Sequence, residues 1–589
     1  MANNGKQELK QAGKVELIAH GTKGRPNDIW VPDMYRIALH GSVPVEVNLP
    51  AGGFQNLTVK PDVPETKGAY ALVLDLGPAG RRFVTSFVRT FQASSKPVQF
   101  PQLCLDNDEP ALLTRLGAAP NRIGIGYKPT TDKDFAEWYR KEGEKIMQYK
   151  KAGLAVTVEF GGGAFRHPNQ PLGRERPWLD DKGVMLDTKF DLAWLPSWDE
   201  DFKKFCKMFA VDFGWPKGPV NGFKLWNEPW NGISISGWGA DDLRYREIYT
   251  ALCQGVEEAR KEAGIQSLLG GCDSSSNTFD KFFGDGSTEF LKWLDFCSIH
   301  YQGMSPPSTV KAWLNRKHPN GRVRIWDTES WVANTDDRVA AVVATNLSTG
   351  HDRAVGIYHG NIATEWHDRG IQIRDEKGTK RIERSHTWSV AAAVGATTHF
   401  IGERKFKELL FRNGLPWVMV FEGNRNDKAE ADAEDGTVVV VGDIGEEFGA
   451  DNVLFRTARG FAEIAKKKEL KQKLGALPKD APAAERQALE KAIAAPMALS
   501  GATMTLADAL SRFLLCDFYG NPIPAKDGKI VVQLDHRGFF LRGNGQPGGE
   551  SGGSCRPFAF SRVEGIEPLA KECLDFTAAR HRSRRCVCG

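Results

Sequence analysis

Between residues 28 and 95 apolar and polar positions alternate in short runs, "VPVEVNL", "NLTVKP", "YALVLDL" and "RFVTSFVRTF", separated by Gly, Pro and Asn. That period belongs to strands with one buried face. No stretch of helical period interrupts it, so a small antiparallel β unit is expected within residues 1–95. From about residue 97 the pattern changes. Short apolar runs that read as strands, "NRIGIGY", "LAVTVEF", "GFKLWNEP", "SLLGGCD", "FCSIHYQG", "VRIWDTESW" and "AVGIYHG", alternate with segments of helical period. In the segment 130–153 a Thr or Asp caps the start and Gly153 ends the helix. In the segment 199–214, Phe202, Phe205, Cys206, Phe209 and Ala210 share one face.

Strands alternating with helices of this length imply parallel βα units. Seven run from "NRIGIGY" to "AVGIYHG", and "PVQFPQLC" ahead of them supplies an eighth. Eight units close a (β/α)8 TIM barrel, an α/β fold, expected here over 96–404. The chain then returns to β character in "LPWVMVFEG", "TVVVVGDIG", "FLLCDFYGNPIP", "KIVVQL" and "GFFLRG". These runs predict an accessory antiparallel β-sandwich over 405–545, interrupted by a Lys/Ala-rich helical hairpin at 462–496. "GNGQPGGESGGSC" leads into a linker and tail over 546–589.

Composition narrows the class. A chain of 589 residues, 41% hydrophobic and 26% charged, reads as a soluble globular protein of two to four domains. A net charge of +4, part of it in the terminal "RHRSRR", gives no reason to expect a nucleic-acid partner. The first residues, "MANNGKQELKQAGKVELIAHG", hold no apolar run fit for a signal peptide's core, and no later segment approaches 18 continuous apolar residues, so no membrane anchor is expected. The compartment stays open, with a cytoplasmic one expected for the chain as given and secretion expected if a signal peptide was removed. Cys104, Cys206, Cys253, Cys272 and Cys297 sit singly inside apolar elements and read as small buried hydrophobes. Cys586 and Cys588 lie in a tail without other ligand-type residues, so zinc is not expected there. The glycines 161–163 are not followed by GK[ST], and no HExxH spacing occurs, so neither cofactor nor metal is expected.

Candidate chemistry sits at the strand ends. "KLWNEPWNG", residues 224–232, sets Glu228 between Asn227 and Pro229 with Trp226 and Trp230 on either side. Apolar neighbours disfavour a carboxylate anion, which suits an acid that must hold its proton near neutral pH. Cleaving a glycosidic bond needs a second, ionised carboxylate across the barrel mouth. Glu329 in "VRIWDTESW" ends another strand three units later; with the two strands as the fourth and seventh, the acids come within ~5 Å, the spacing of retaining enzymes. Glu365 in "IATEW" competes but follows the eighth strand. Asp327 shares the strand face of Glu329.

"WNEPW" followed by a strand-seven glutamate resembles the clan A retaining glycoside hydrolases, and "SIHYQG" with the C-terminal β-sandwich is most similar to family 39 and its relatives. The resemblance covers roughly residues 100–545. It implies that Glu228 is the general acid/base, Glu329 the nucleophile and Asn227 a donor to the sugar 2-hydroxyl. It further implies that His300 and Tyr301 position the nucleophile or the sugar, and that Arg122 pairs with the nucleophile. Glu159 reads as a sugar ligand or a helix cap, and His359 as packed or functional. Trp178, Trp230, Trp238, Trp331 and Trp366 are candidate sugar platforms. The partner expected is therefore a carbohydrate, with a transglycosylase or a non-catalytic sugar-binding barrel as alternatives. Arg166, His167, Arg174 and Arg176 in the loop after "LAVTVEF" add an anionic carbohydrate as an option. The N-terminal β unit, the hairpin and the loop 161–190 depart from a plain family member, so the resemblance does not carry the sugar.

Overall fold

The computed structural model describes residues 3, 5–25, 28–93, 98–105, 109–161, 196–229, 238, 242–271, 289–300, 323–329, 336–355, 363–364, 371–375, 378–382, 386–387, 389–402, 404–409, 417–422, 437–441, 458–478, 480–494, 503–506, 513–527, 529–533, 537–543 and 560–564. Expectations for Tyr301, Trp230, Trp331, Trp178, Trp366, Glu365, His359 and the four loop residues Arg166, His167, Arg174 and Arg176 fall outside these residues, and of the expected linker and tail over 546–589 only Phe560–Glu564 is described, as a strand rather than tail. The chain folds as two compact units, one of residues 1–92, 332–344 and 359–589, the other of 93–331 and 345–358.

The first unit opens with β1 (Leu9–Arg25), β2 (Asp28–Leu49), β3 (Gly68–Asp75) and β4 (Arg81–Arg89), an antiparallel sheet in the order β2-β1-β3-β4. β1 escapes the sequence reading because Gly and Lys break its apolar alternation. The run "NLTVKP" forms no strand, yet Leu57 and Val59 still pack on the core of Val15, Val47, Leu49, Leu74 and Leu76. The same unit contains a five-stranded antiparallel sheet of segments 405–409, 417–422, 437–441, 538–543 and 513–516. A three-stranded sheet pairs 530–533, 503–506 and 560–564. The helix Ser389–Ile401 is buried along its whole length. Thr90 Oγ1 donates to Ala392 O at 3.0 Å, and Phe91 stacks on His399. Gly395 permits that approach, because a Cβ there would overlap the Thr90 hydroxyl. Helices Ala458–Ala476 and Ala483–Ala494 form the hairpin.

The second unit carries the parallel strands β5 (Leu103–Leu105), β6 (Ala119–Pro120), β7 (Ile123–Gly126), β8 (Val156–Gly161), β9 (Val220–Leu225), β10 (Leu268–Gly271), β11 (Phe296–His300), β12 (Arg324–Glu329) and β13 (Ala354–Val355). From β7 to β12 each pairs in parallel with the next. A bridge from Trp326 to Arg353 leads from β12 to the start of β13, which pairs with β5, and β5 pairs with β6. With β6 and β7 as halves of one run, the pairings return to their starting point around eight strands. "PVQFPQLC" contributes only its end to the first of these strands, and the first two residues of "NRIGIGY", Asn121 and Arg122, stay out of the strand and separate β6 from β7. All six residues of β9 are buried, as a strand covered on both faces requires.

Helices α1 (Pro110–Leu116), α2 (Phe135–Lys151), α3 (Asp199–Phe213) and α4 (Asp242–Ala263) follow the early strands. α3 buries the phenylalanine face anticipated for it, and Phe160 of β8 lies edge-on to Phe202, Phe205 and Phe209. Gly153 takes a left-handed φ of 73° just after α2, but no side chain caps the start of that helix. Thr130 instead donates to Asp201, and the Asp132 carboxylate accepts from the Asp134 N–H. After β10 the expected helix is a short 3-10 turn, Glu289–Trp293. Among the described residues no helix is long and apolar enough to cross a membrane.

Candidate active site

Parallel register brings the charged groups together. Glu159 of β8 lies opposite Lys224 of β9, and His300 at the end of β11 opposite Glu329 at the end of β12. Between Ile299 and His300 the pairing slips by one residue, a bulge that sets Thr328 and Glu329 against His300 alone. Ser298 and Thr328 hydroxyls join across it, and Asn121 Nδ2 donates to Thr328 O. Glu228 reaches the same place from the loop after β9. Trp226 and Glu228 both have left-handed backbones, φ 55° and 45°. Such values cost a residue with a Cβ about 1–3 kcal/mol and persist where the surroundings enforce them.

His300 is the hub. It is fully buried, and its Nδ1 lies 2.8 Å from Glu228 Oε1 and 3.4 Å from Glu329 Oε2. Arg122 Nη1 lies 3.2 Å from His300 Nε2. A guanidinium only donates, so Nε2 carries the lone pair and Nδ1 the proton, and the Nδ1–H donates a hydrogen bond to Glu228 Oε1. Burial, then the Arg122 and Lys224 cations, hold the imidazole well below its ordinary range, keeping it neutral. Arg122 also reaches Glu329 Oε2 through Nη2 at 2.5 Å and Glu159 Oε2 through Nη1 at 3.0 Å. Lys224, with no exposure, pairs with the same Glu159 oxygen. Glu159 is thus the shared counter-charge of two cations, a role the sequence did not suggest.

Lys224 was missed altogether, although a lysine inside the apolar run "GFKL" is itself a sign of a buried partner. Glu159→Ala should strip the buried Lys224 ammonium of this carboxylate and cost about 3–5 kcal/mol in urea unfolding. Glu159→Leu with Lys224→Met should recover most of the loss, and failure to recover would show that the pair does more than balance charge.

Asp327, also buried, accepts the Glu329 N–H at 3.2 Å and lies 3.4 Å from Asn346 Nδ2. Burial, reinforced by the nearby Glu329 carboxylate, pushes its carboxyl up to about 8. The unfolded chain ionises this group near pH 4. Between that pH and about 8 the folded protein binds the extra proton, so stability falls as pH rises and levels off above 8. His300 acts oppositely, but only below about pH 6.5, where the unfolded chain takes the proton that the folded one refuses. From 6.5 to 8 the Asp327 contribution should therefore show as a fall of about 1.4 kcal/mol per pH unit that Asp327→Asn abolishes. A profile unchanged by that substitution would mean Asp327 is ionised throughout.

Glu228, His300 and Glu329 each offer an atom within 4.8 Å of the others'. A metal ion could span that distance, but Arg122 already occupies Glu329 and the imidazole Nδ1 carries a proton. Asn227 is half-buried and its Oδ1 has no partner among the described residues. Trp238 is packed edge-on against Trp226 at 5.0 Å and beside Tyr245, so its ring serves the core.

No family model matches the chain, and no curated protein does. Among solved structures it is similar to a family 39 glycoside hydrolase from the gut symbiont Bacteroides cellulosilyticus WH2, at 13% identity and TM-score 0.48, over 92% of this chain and 96% of that one. It is also similar to a family 30 subfamily 8 xylanase from Clostridium acetobutylicum, at 13% identity and TM-score 0.38, over 77% and 96%. A conserved exported protein from Bacteroides fragilis aligns at 10% identity and TM-score 0.39, over 77% and 98%.

Proposed function

We propose that this chain is a retaining glycoside hydrolase whose barrel carries an accessory β-sandwich built from the antiparallel strands after residue 404. The observation that carries the reading is the pair Glu228 and Glu329, with carboxylate oxygens within 4.8 Å of one another and one histidine between them. Retaining enzymes hold their two carboxyls about 5–5.5 Å apart, whereas inverting enzymes leave about 6.5–9.5 Å for a water.

In this mechanism Glu329 Oε attacks the anomeric carbon while Glu228 gives its proton to the departing glycosidic oxygen. A covalent glycosyl ester forms and the aglycone leaves as an alcohol. Glu228 then takes a proton from water, whose oxygen displaces Glu329 and regenerates the carboxylate. Arg122 and the His300 N–H orient the two acids, and Asn227 faces the sugar 2-hydroxyl. No cofactor is needed. The proposed partner is a carbohydrate; Tyr301, Trp230 and Trp331 would complete its contacts, and Arg166, His167, Arg174 and Arg176 would favour uronate or sulfate groups.

A panel of aryl glycosides and of neutral and anionic polysaccharides, read by reducing ends with and without acceptor sugars, tests this. Release of reducing ends from one class supports hydrolysis, and transfer to the acceptor alone would indicate a transglycosylase. Binding without turnover would leave a non-catalytic sugar-binding barrel. Preference for neutral glucans or xylans that is insensitive to salt would remove the anionic option.

A further inference from the structure

The opposite ends of the barrel strands hold a second charged group that the proposed chemistry does not use. Arg353 immediately precedes β13, and its side chain is 1% exposed. Nη1 donates to Thr157 Oγ1 at 2.9 Å near the start of β8, and the guanidinium lies 3.6 Å over the Trp326 ring. The Thr157 hydroxyl donates in turn to Asn221 Oδ1, whose Nδ2 donates to Gln99 O. Nε and Nη2 of Arg353 have no hydrogen-bond partner, and no carboxylate pairs with it among the described residues.

Its charged surroundings are wrong for a lone cation. Arg324, at the first position of β12, lies over Phe100 at 4.2 Å and repels the Arg353 charge. The Asp352 carboxylate nearby accepts the Ile325 N–H at 2.8 Å. The Cys104 thiol would favour the cation if it ionised, but burial holds it in the neutral form. A guanidinium does not shed its proton inside a protein, and stacking on an indole offsets only part of its lost hydration. What remains is a fixed fork of N–H donors, buried and aimed at no acceptor.

We propose that this floor of the barrel binds a small monovalent anion such as chloride, with Nε and Nη2 of Arg353 as its donors and Arg324 adding positive potential. The ion would supply the missing counter-charge and tie the starts of β8, β12 and β13 together. It lies among residues distinct from the catalytic carboxylates, so the proposal stands whatever sugar the enzyme takes.

Full-length protein exchanged into sodium gluconate, then titrated with chloride at constant ionic strength, should show a thermal midpoint rising by about 5 °C at saturation. Arg353→Met should abolish the response, and Arg324→Met should move it to higher chloride concentration. Crystals grown in bromide should carry an anomalous peak within hydrogen-bond distance of Arg353. A wild-type midpoint indifferent to chloride, or bromide density absent from this position, overturns the proposal. Both wild-type measurements decide the matter even if Arg353→Met fails to fold.

Discussion

Glu329→Ala should lower kcat by about four orders of magnitude or more on any substrate the enzyme accepts, with a smaller change in KM. The side chain proposed to form the covalent bond is lost, and no neighbour can replace it. Arg122, which donates to Glu329 Oε2, is a cation, and Asp327, with its carboxyl pushed up to about 8, is protonated at neutral pH. Azide should restore turnover in this variant by entering the vacated space. Because it attacks the anomeric carbon once, from the face Glu329 used, it should yield a glycosyl azide of inverted configuration. Glu365→Ala provides the contrast and should retain near-normal kcat. If it is the inactive variant while Glu329→Ala turns over, the nucleophile has been assigned to the wrong glutamate.

Glu228→Gln should separate substrates by their leaving groups. For an unactivated glycoside the proton must arrive as the bond breaks, and its loss should cost about 10²–10⁴-fold in kcat/KM. Activated aryl glycosides, whose phenolates leave unaided, should be nearly spared in the first step. The wild-type kcat/KM profile should be a bell, and its alkaline limb should flatten in the variant. Glu228 Oε1 accepts a hydrogen bond from the His300 Nδ1–H, with the heavy atoms 2.8 Å apart, so Gln, which keeps an acceptor oxygen, preserves that contact while removing the transferable proton. NMR of the first-formed product should show the anomeric configuration of the substrate. An inverted first product would exclude the double displacement, whatever the separation of the two carboxylates.

The sequence by itself determined the order of the parallel strands and the early helices between them, because these announce their own period: apolar runs for strands, the one-sided phenylalanine face of α3 for a helix. It also placed Glu228 and Glu329 at strand ends, since "WNEPW" and "WDTESW" couple an acid to the close of an apolar run. Only the tertiary structure decided which charges meet. Glu159 faces Lys224, and His300 faces Glu329, through the register of strands far apart in the chain, which no local period encodes. The bulge opposite His300 and the left-handed backbones of Trp226 and Glu228 run against local preference, so they can be held only by contacts from other elements. The neutral state of His300 and the proton on Asp327 belong to the same class. Burial and neighbouring charge set them, and both exist only once distant strands have closed around the site.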